Sequence, residues 1–157
     1  MTDAAEISLR KSLGQFATGV TVVTCMASDG RACGITANSF SSVSLAPPLI
    51  LWNIAKVSNS LQAYLSARYF ALHVLSSEQE DIARHFAKTD HKSYDAIEHH
   101  LSDSNVPILP DVIARFDCQT YEIHDAGDHY IIIGEVLDHT QSQGDPLLFY
   151  NGDYARF

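Results

Sequence analysis

Short β-prone runs, each interrupted by a turn signal after about ten positions, constrain this chain more than any other feature. Val20 to Met26 is dense in valine and threonine. Ser28-Asp29-Gly30 follows, and Asp-Gly accepts positive φ at little cost, so Ala32 to Asn38 is read as the returning strand of a hairpin. Leu49 to Ile54, Tyr69 to Leu75 and Leu147 to Tyr150 add short strands. Ile113 to Ile123 and Tyr130 to Asp138 add two long ones around Asp125-Ala126-Gly127-Asp128. Helices are expected over Ala4 to Phe16, over Ser58 to Leu65 with Ser58 as N-cap, and from Ser76 or Ser77 through Ala87. Lys88 to Pro110 is polar and reads as a long excursion with a helical turn or two. No Gly-x-Gly-x-x-Gly follows a strand, which disfavours a nucleotide-binding βαβ fold. The pattern predicts one domain over residues 1–157, mainly β, an antiparallel barrel with peripheral helices.

Charge and composition exclude several classes of function. The 157 residues carry a net charge of -9, with no cluster of lysine or arginine, so neither nucleic acid nor an anionic membrane is expected as a partner. No run of about 18 apolar residues exists to span a membrane. The acidic start, Met1-Thr2-Asp3-Ala4-Ala5-Glu6, lacks the apolar core of a signal peptide, and the reading is a cytoplasmic protein. Cys25, Cys33 and Cys118 form no zinc spacing. Cys25 and Cys33 flank the Asp29-Gly30 turn, where they can face each other as free thiols.

Three segments carry the chemistry. Gly34-Ile-Thr-Ala-Asn-Ser-Phe-Ser-Ser-Val-Ser-Leu-Ala-Pro-Pro48 is rich in small hydroxyl residues yet framed by apolar runs. Many backbone N–H groups, short polar side chains and few bulky ones suit a flat, polar, anionic ligand. Asn53, Lys56, Ser58 and Ser60 run from the end of a predicted strand into the start of a predicted helix, where an N-terminus with nearby hydroxyls suits a phosphate. Gly127-Asp128-His129 sits at a predicted hairpin tip, with Gly127 permitting the turn and Asp128 shaping it. His99 and His100 lack a third ligand at a metal-binding spacing, and no metal site is expected.

Four segments in this order resemble the short-chain flavin reductases, the small components of two-component flavin monooxygenases. They are Phe16-Ala-Thr-Gly-Val-Thr-Val-Val-Thr24, the Gly34 to Pro48 segment, Lys56-Val-Ser-Asn-Ser60 and Gly127-Asp-His-Tyr-Ile-Ile-Ile-Gly-Glu-Val136. The resemblance implies an antiparallel Greek-key split β-barrel that binds FMN or FAD and forms a homodimer. It implies an enzyme that passes hydride from NADH to flavin, with NADPH as the alternative reductant, and supplies reduced flavin to a separate monooxygenase or halogenase. It assigns Thr36, Ala37, Asn38 and Ser39 to the flavin ring and ribityl chain, and Ser41, Ser42, Val43 and Ser44 to a second wall. Asn53, Lys56, Ser58, Ser60, Phe86 and Lys92 go to the cofactor's phosphate end, and His129 to the nicotinamide as the catalytic residue. Tyr150 or Tyr154 stands where the family carries a C-terminal aromatic near the active site. Direct hydride transfer needs no general base, so no acid–base dyad is expected. Other readings are a non-enzymatic flavin- or haem-binding module, and a reductase of the same fold acting on a corrinoid. A flavin-storage protein would have no use for the Gly-Asp-His signal.

Overall fold

Gly127 adopts φ +69° and lets the chain reverse between the two longest strands of the molecule. The computed structural model describes residues 2–88 and 94–157. In chain order its elements are α1 (Asp3–Leu13), β1 (Thr18–Gly19), β2 (Thr21–Met26), β3 (Ala32–Ala37), β4 (Ser41–Leu45), β5 (Pro48–Ala55) and α2 (Leu61–Ser66). There follow β6 (Tyr69–Val74), a 3₁₀ turn (Ser77–Gln79), α3 (Glu80–Ala87), β7 (His100–Leu101), β8 (Pro107–Ile108), β9 (Ala114–Ala126), β10 (His129–Gln141), β11 (Leu147–Tyr150) and β12 (Asp153–Arg156). Seven strands form one antiparallel sheet in the order β3-β2-β6-β9-β10-β5-β4. A three-stranded sheet, β1-β11-β12, and the β7-β8 hairpin complete the framework. The mainly β, antiparallel architecture with peripheral helices is the one expected. No helix among the described residues is long and apolar enough to cross a membrane.

Two apolar clusters hold the sheet in shape. Trp52, Tyr64, Phe70, Leu72 and Ile132 pack on one side. Burial of side chains this large is the dominant favourable term of such a fold. The Tyr64 hydroxyl donates to the Val23 carbonyl at 2.6 Å and so pins α2 to β2 without leaving a polar atom unpaired. Val20, Val22, Leu75, Phe86, Leu109 and Leu147 form the second cluster, beneath α3. Cys25 and Cys33 face each other across β2 and β3 as buried thiols with no disulfide between them. The hydrogen bond between them, with burial second, raises the Cys25 pKa.

Several boundaries differ from the sequence reading. The first helix stops at Leu13, because Gly14 caps it. The hydroxyl-rich segment is no continuous loop: Ser41–Leu45 pairs with β5 as the edge strand of the sheet. Serine has little strand propensity, and the partner decides. Ser58 does not cap a helix. Its Oγ accepts from the Ser60 amide at 3.2 Å, and α2 starts only at Leu61. Ser76 does cap, through a reciprocal box with Gln79. Among the described residues between Lys88 and Pro110, a hydrogen-bonded turn closes from Tyr94 to Ile97 and β7 and β8 form a hairpin. Asn151, at φ 50°, and Gly152, at φ 83°, turn the chain into β12, a strand the sequence reading lacked.

His73 sets an acid limit on this fold. The Leu109 amide donates to its Nε2 at 3.2 Å, so the proton sits on Nδ1, which faces the Val22 carbonyl at 3.0 Å. Burial, opposed by that carbonyl and reinforced by the charges of Arg115 and His100, lowers the imidazole to about 4. The unfolded chain protonates it near ~6.5, so its contribution is complete above that pH. It is lost as pH falls from the unfolded value toward the folded one, at about 1.4 kcal/mol per unit. Urea denaturation is expected to show about 2 kcal/mol less stability at pH 5 than at pH 7. Equal stability at the two pH values would contradict a neutral, buried His73.

Candidate functional site

Cross-strand register builds the floor of a cleft at the gap between the two ends of the sheet. His129 pairs with Ala55 on β5 and with Ala126 on β9, while Ile131 pairs with Asn53. Residues two apart on a strand share a face, and His129, Ile131, Asn53, Ala55 and Ala126 together line one side. The opposite side is the end of β3 and the residues after it: Ile35, Thr36, Ala37, Asn38 and Ser39. The Asn53 amide donates to Ser39 Oγ at 2.9 Å and joins the two sides. The open volume is about 480 Å³, within the ~300–1,000 Å³ of small-molecule sites. The hydroxyl-rich segment and the distant histidine therefore converge on one cleft.

Chemically the cleft is small-sided, polar and free of carboxylates among its described lining residues. Asn53 Oδ1 is buried without a hydrogen-bond partner. An amide with an unpaired oxygen beside a cleft suits a ligand that offers a ring N–H flanked by carbonyls. Flavin has that edge, and the alanines leave space for its flat ring. The Thr36 hydroxyl is already engaged, donating to the Ala83 carbonyl at 2.7 Å and fastening β3 to α3. Thr36 therefore offers its backbone and methyl group to the cleft.

His129 is held at the cleft mouth. Its Nδ1 donates to Asp128 Oδ1 at 2.7 Å, which leaves Nε2 to meet a ligand. The imidazole hydrogen bond, with its charge second, holds the Asp128 carboxyl below the usual range. The Asp128 carbonyl accepts from the Lys56 amide at 2.9 Å, tying the hairpin tip to the end of β5. Asp128 thus shapes the turn, as expected, and also fixes the imidazole.

The other candidates lie elsewhere. Lys56 directs its ammonium to Asp125 Oδ1 at 2.8 Å and over the Tyr130 ring at 5.1 Å. Tyr130 is one residue from His129, so strand alternation turns it away from the cleft and Lys56 with it. Phe86 is fully buried beneath β3 and supports the site from behind; its neighbour Ala87 reaches an adjoining recess. Ser41, Ser42, Val43 and Ser44 sit on the edge strand, outside the cleft of this chain. Ser58 and Ser60 stay at the start of α2, with Ser60 buried. Lys92 lies outside the described residues. Tyr150 donates to Gln15 Oε1 at 3.1 Å away from the cleft, whereas Tyr154 lines the adjoining recess. Ile35, Ala55, Ala126 and Ile131 line the cleft but were absent from the sequence reading. Counting by twos from His129 along its strand reaches Ile131.

Fold and cleft together define a flavin-handling protein. The sequence profile of the flavin reductase like domain matches residues 13–157, and the chain belongs to that family. It is 46% identical over 150 residues to FMN reductase (NADH) SmoA of Agrobacterium fabrum, a match covering 96% of this chain and 85% of that protein. It is 42% identical to the reductase component of the flavin-dependent trigonelline monooxygenase of Acinetobacter baylyi, where 93% of this chain spans only 47% of the longer relative. Among solved structures, the Streptomyces globisporus NADH:FAD oxidoreductase in complex with NAD and FAD fragments matches with a TM-score of 0.92 at 36% identity. That match covers 100% of this chain and 95% of the other.

Proposed function

We propose that this chain is an NADH:flavin oxidoreductase that hands reduced flavin to a separate monooxygenase. The observation that carries the reading is the meeting of His129 with the Thr36 to Ser39 segment and Asn53 around one cleft. A bound flavin supplies an electrophilic N5 that takes hydride directly from a dihydronicotinamide. The protein has to bind, orient and shield the two rings. Asn53 and the backbone of Thr36 to Ser39 would hold the polar edge of the flavin. Ala37, Ala55 and Ala126 leave its face uncovered, so a second ring can stack there. His129 Nε2, with its partner nitrogen fixed by Asp128, would orient the nicotinamide by hydrogen bonding.

We further propose that the working form is a homodimer. Helix α1 buries no residue within its own chain, and Leu13 and Phe16 are exposed together with Leu45 and Val57. Leu45 is 96% exposed on the edge strand. Apolar side chains left open in this number favour a partner surface. Ser41, Ser42, Val43 and Ser44 lie on that same edge strand, where a second copy would complete their wall. Analytical ultracentrifugation is expected to give twice the chain mass, and a monomer at micromolar concentration would refute the dimer.

The test of function is an anaerobic titration of the purified protein and FMN or FAD with NADH. Bleaching of the flavin band near ~450 nm is expected, as it is when flavin itself takes the electrons. Flavin that binds but stays oxidised would point to a storage module instead. Oxidation of NADH only with another acceptor would point to a different reductase.

A further inference from the structure

A groove of about 540 Å³ opens between α3, the 3₁₀ turn before it, residues 96–98 and the Pro110-Asp111 step. It shares no lining residue with the cleft, so filling one does not fill the other. Its floor is apolar. Ile82 and Ile97 pack against the second core cluster and turn part of their surface to the groove, beside Ala96 and Pro110. Hydrogen bonds hold that floor in shape. Gln79, itself buried, donates from Nε2 to the Pro110 carbonyl at 2.9 Å and accepts from the Ser76 amide at 3.0 Å. The Ile97 amide donates to the Tyr94 carbonyl at 3.0 Å.

The rim carries one sign of charge. Glu78, Asp81, Glu98 and Asp111 stand exposed around the floor, and no lysine or arginine lines it. Among the described residues no salt bridge engages any of the four. Carboxylates over an apolar floor attract a cationic surface and repel an acidic one. An apolar centre inside a polar rim is also the anatomy of a protein–protein contact. Because the carboxylates are exposed, a small cation at the rim would stay hydrated and gain little. A partner surface laid over the groove covers floor and rim together.

We propose that this groove docks a segment, bearing lysine or arginine beside apolar residues, of the monooxygenase that takes the reduced flavin. The partner's identity rests on the proposed function, whereas the preference for a basic segment is tested without turnover. Helix α3 links this contact to the flavin. It presents Asp81 and Ile82 to the groove, and its Ala83 carbonyl accepts the Thr36 hydroxyl at 2.7 Å. Thr36 lines the cleft. A docked oxygenase thus sits one hydrogen bond away from the segment that would hold the flavin.

The probe is a synthetic peptide of alternating lysine and leucine pairs, acetylated and amidated, titrated into the full-length protein at low ionic strength and followed by fluorescence anisotropy. A groove variant carries Glu78→Gln, Asp81→Asn, Glu98→Gln and Asp111→Asn; asparagine suits position 111, where φ is 61°. A control variant carries Asp103→Asn, Glu122→Gln, Asp138→Asn and Asp145→Asn, exposed carboxylates outside the groove, and has the same net charge. The groove variant should bind the peptide at least about tenfold more weakly than the control, the factor expected when several rim pairs are lost together. Equal binding by the two variants overturns the groove as the site. Cadaverine bound as tightly as the peptide would make it a small-amine site. A groove variant that sediments as a monomer beside a dimeric control would make it a contact between copies. Either result overturns the docking proposal. Zero-length carbodiimide coupling in a lysate of the cells that make the protein then tests the partner. An amide bond is expected between one of the four carboxylates and a lysine of a flavin-dependent monooxygenase, formed by the control variant and missing from the groove variant. Coupling of these carboxylates to no such enzyme overturns the assignment. Failure of NADH to reduce flavin would refute the proposed function without touching the peptide result, and loss of the peptide result would leave flavin reduction unaffected.

Discussion

Gly134→Ala is expected to destabilise the protein by about 2–3 kcal/mol, at the upper end of the overpacking range. A Cβ at this position would lie 2.4 Å from Phe70 Cζ, 2.9 Å from Phe70 Cε1 and 3.1 Å from Cys118 Cβ. Phe70 cannot swing away, because it is buried and packs against the Trp52 ring at 6.2 Å. Cys118 Cβ is joined directly to the backbone of β9, so it yields only if the strand moves. Interiors packed to crystal density do not give way by an ångström at one point alone. Urea-induced unfolding of the variant should show a lower midpoint with an unchanged slope. A midpoint equal to that of the unaltered protein would mean that the β9–β10 contact is looser than the structure has it.

His129→Ala is expected to lower kcat/KM for NADH by about 10- to 100-fold and to leave flavin binding nearly intact. The loss is one of orientation, since no proton has to move when hydride passes between two stacked rings. Asp128→Asn keeps a hydrogen-bond acceptor beside Nδ1 and should cost less than His129→Ala. Stopped-flow reduction of bound flavin by NADH measures both variants. Complete loss of reduction with flavin still bound would show that the imidazole takes part in the chemistry and does not merely place the nicotinamide.

Much of this arrangement could be read from the residues, and what could not be read has physical reasons. The Asp29-Gly30 and Gly127 turns were legible because positive φ selects their residues locally. Both hairpins followed from those turns, and so did the opposition of Cys25 and Cys33. The convergence of the Thr36 to Ser39 segment with His129 was expected only from the family resemblance. The contact that makes it, between Ser39 and Asn53 across the gap in the sheet, leaves no local pattern. Lys56 was assigned to a phosphate because a lysine near hydroxyls suits one, and its pairing with Asp125 and Tyr130 is a long-range contact with no local signal. The burial of Phe86 has a similar origin. In a short helix against a sheet the inward position belongs to the core, and its small neighbour Ala87 reaches the recess. The edge strand Ser41–Leu45 was hidden because its residues argue for a loop and only the pairing with β5 makes it a strand.

The interrupted register of the β9–β10 hairpin has one further consequence. The ladder shifts between Ile133 and Gly134, and between there and the tip the strands run in regular alternation. Parity alone therefore decides whether the imidazole points inward. A single inserted or deleted residue between Gly134 and His129 would send that ring to the outer side, however conservative the residue. Two inserted residues would return it to the inner side, one step farther out. Natural variation in this stretch should change the length of the hairpin in even steps or not at all.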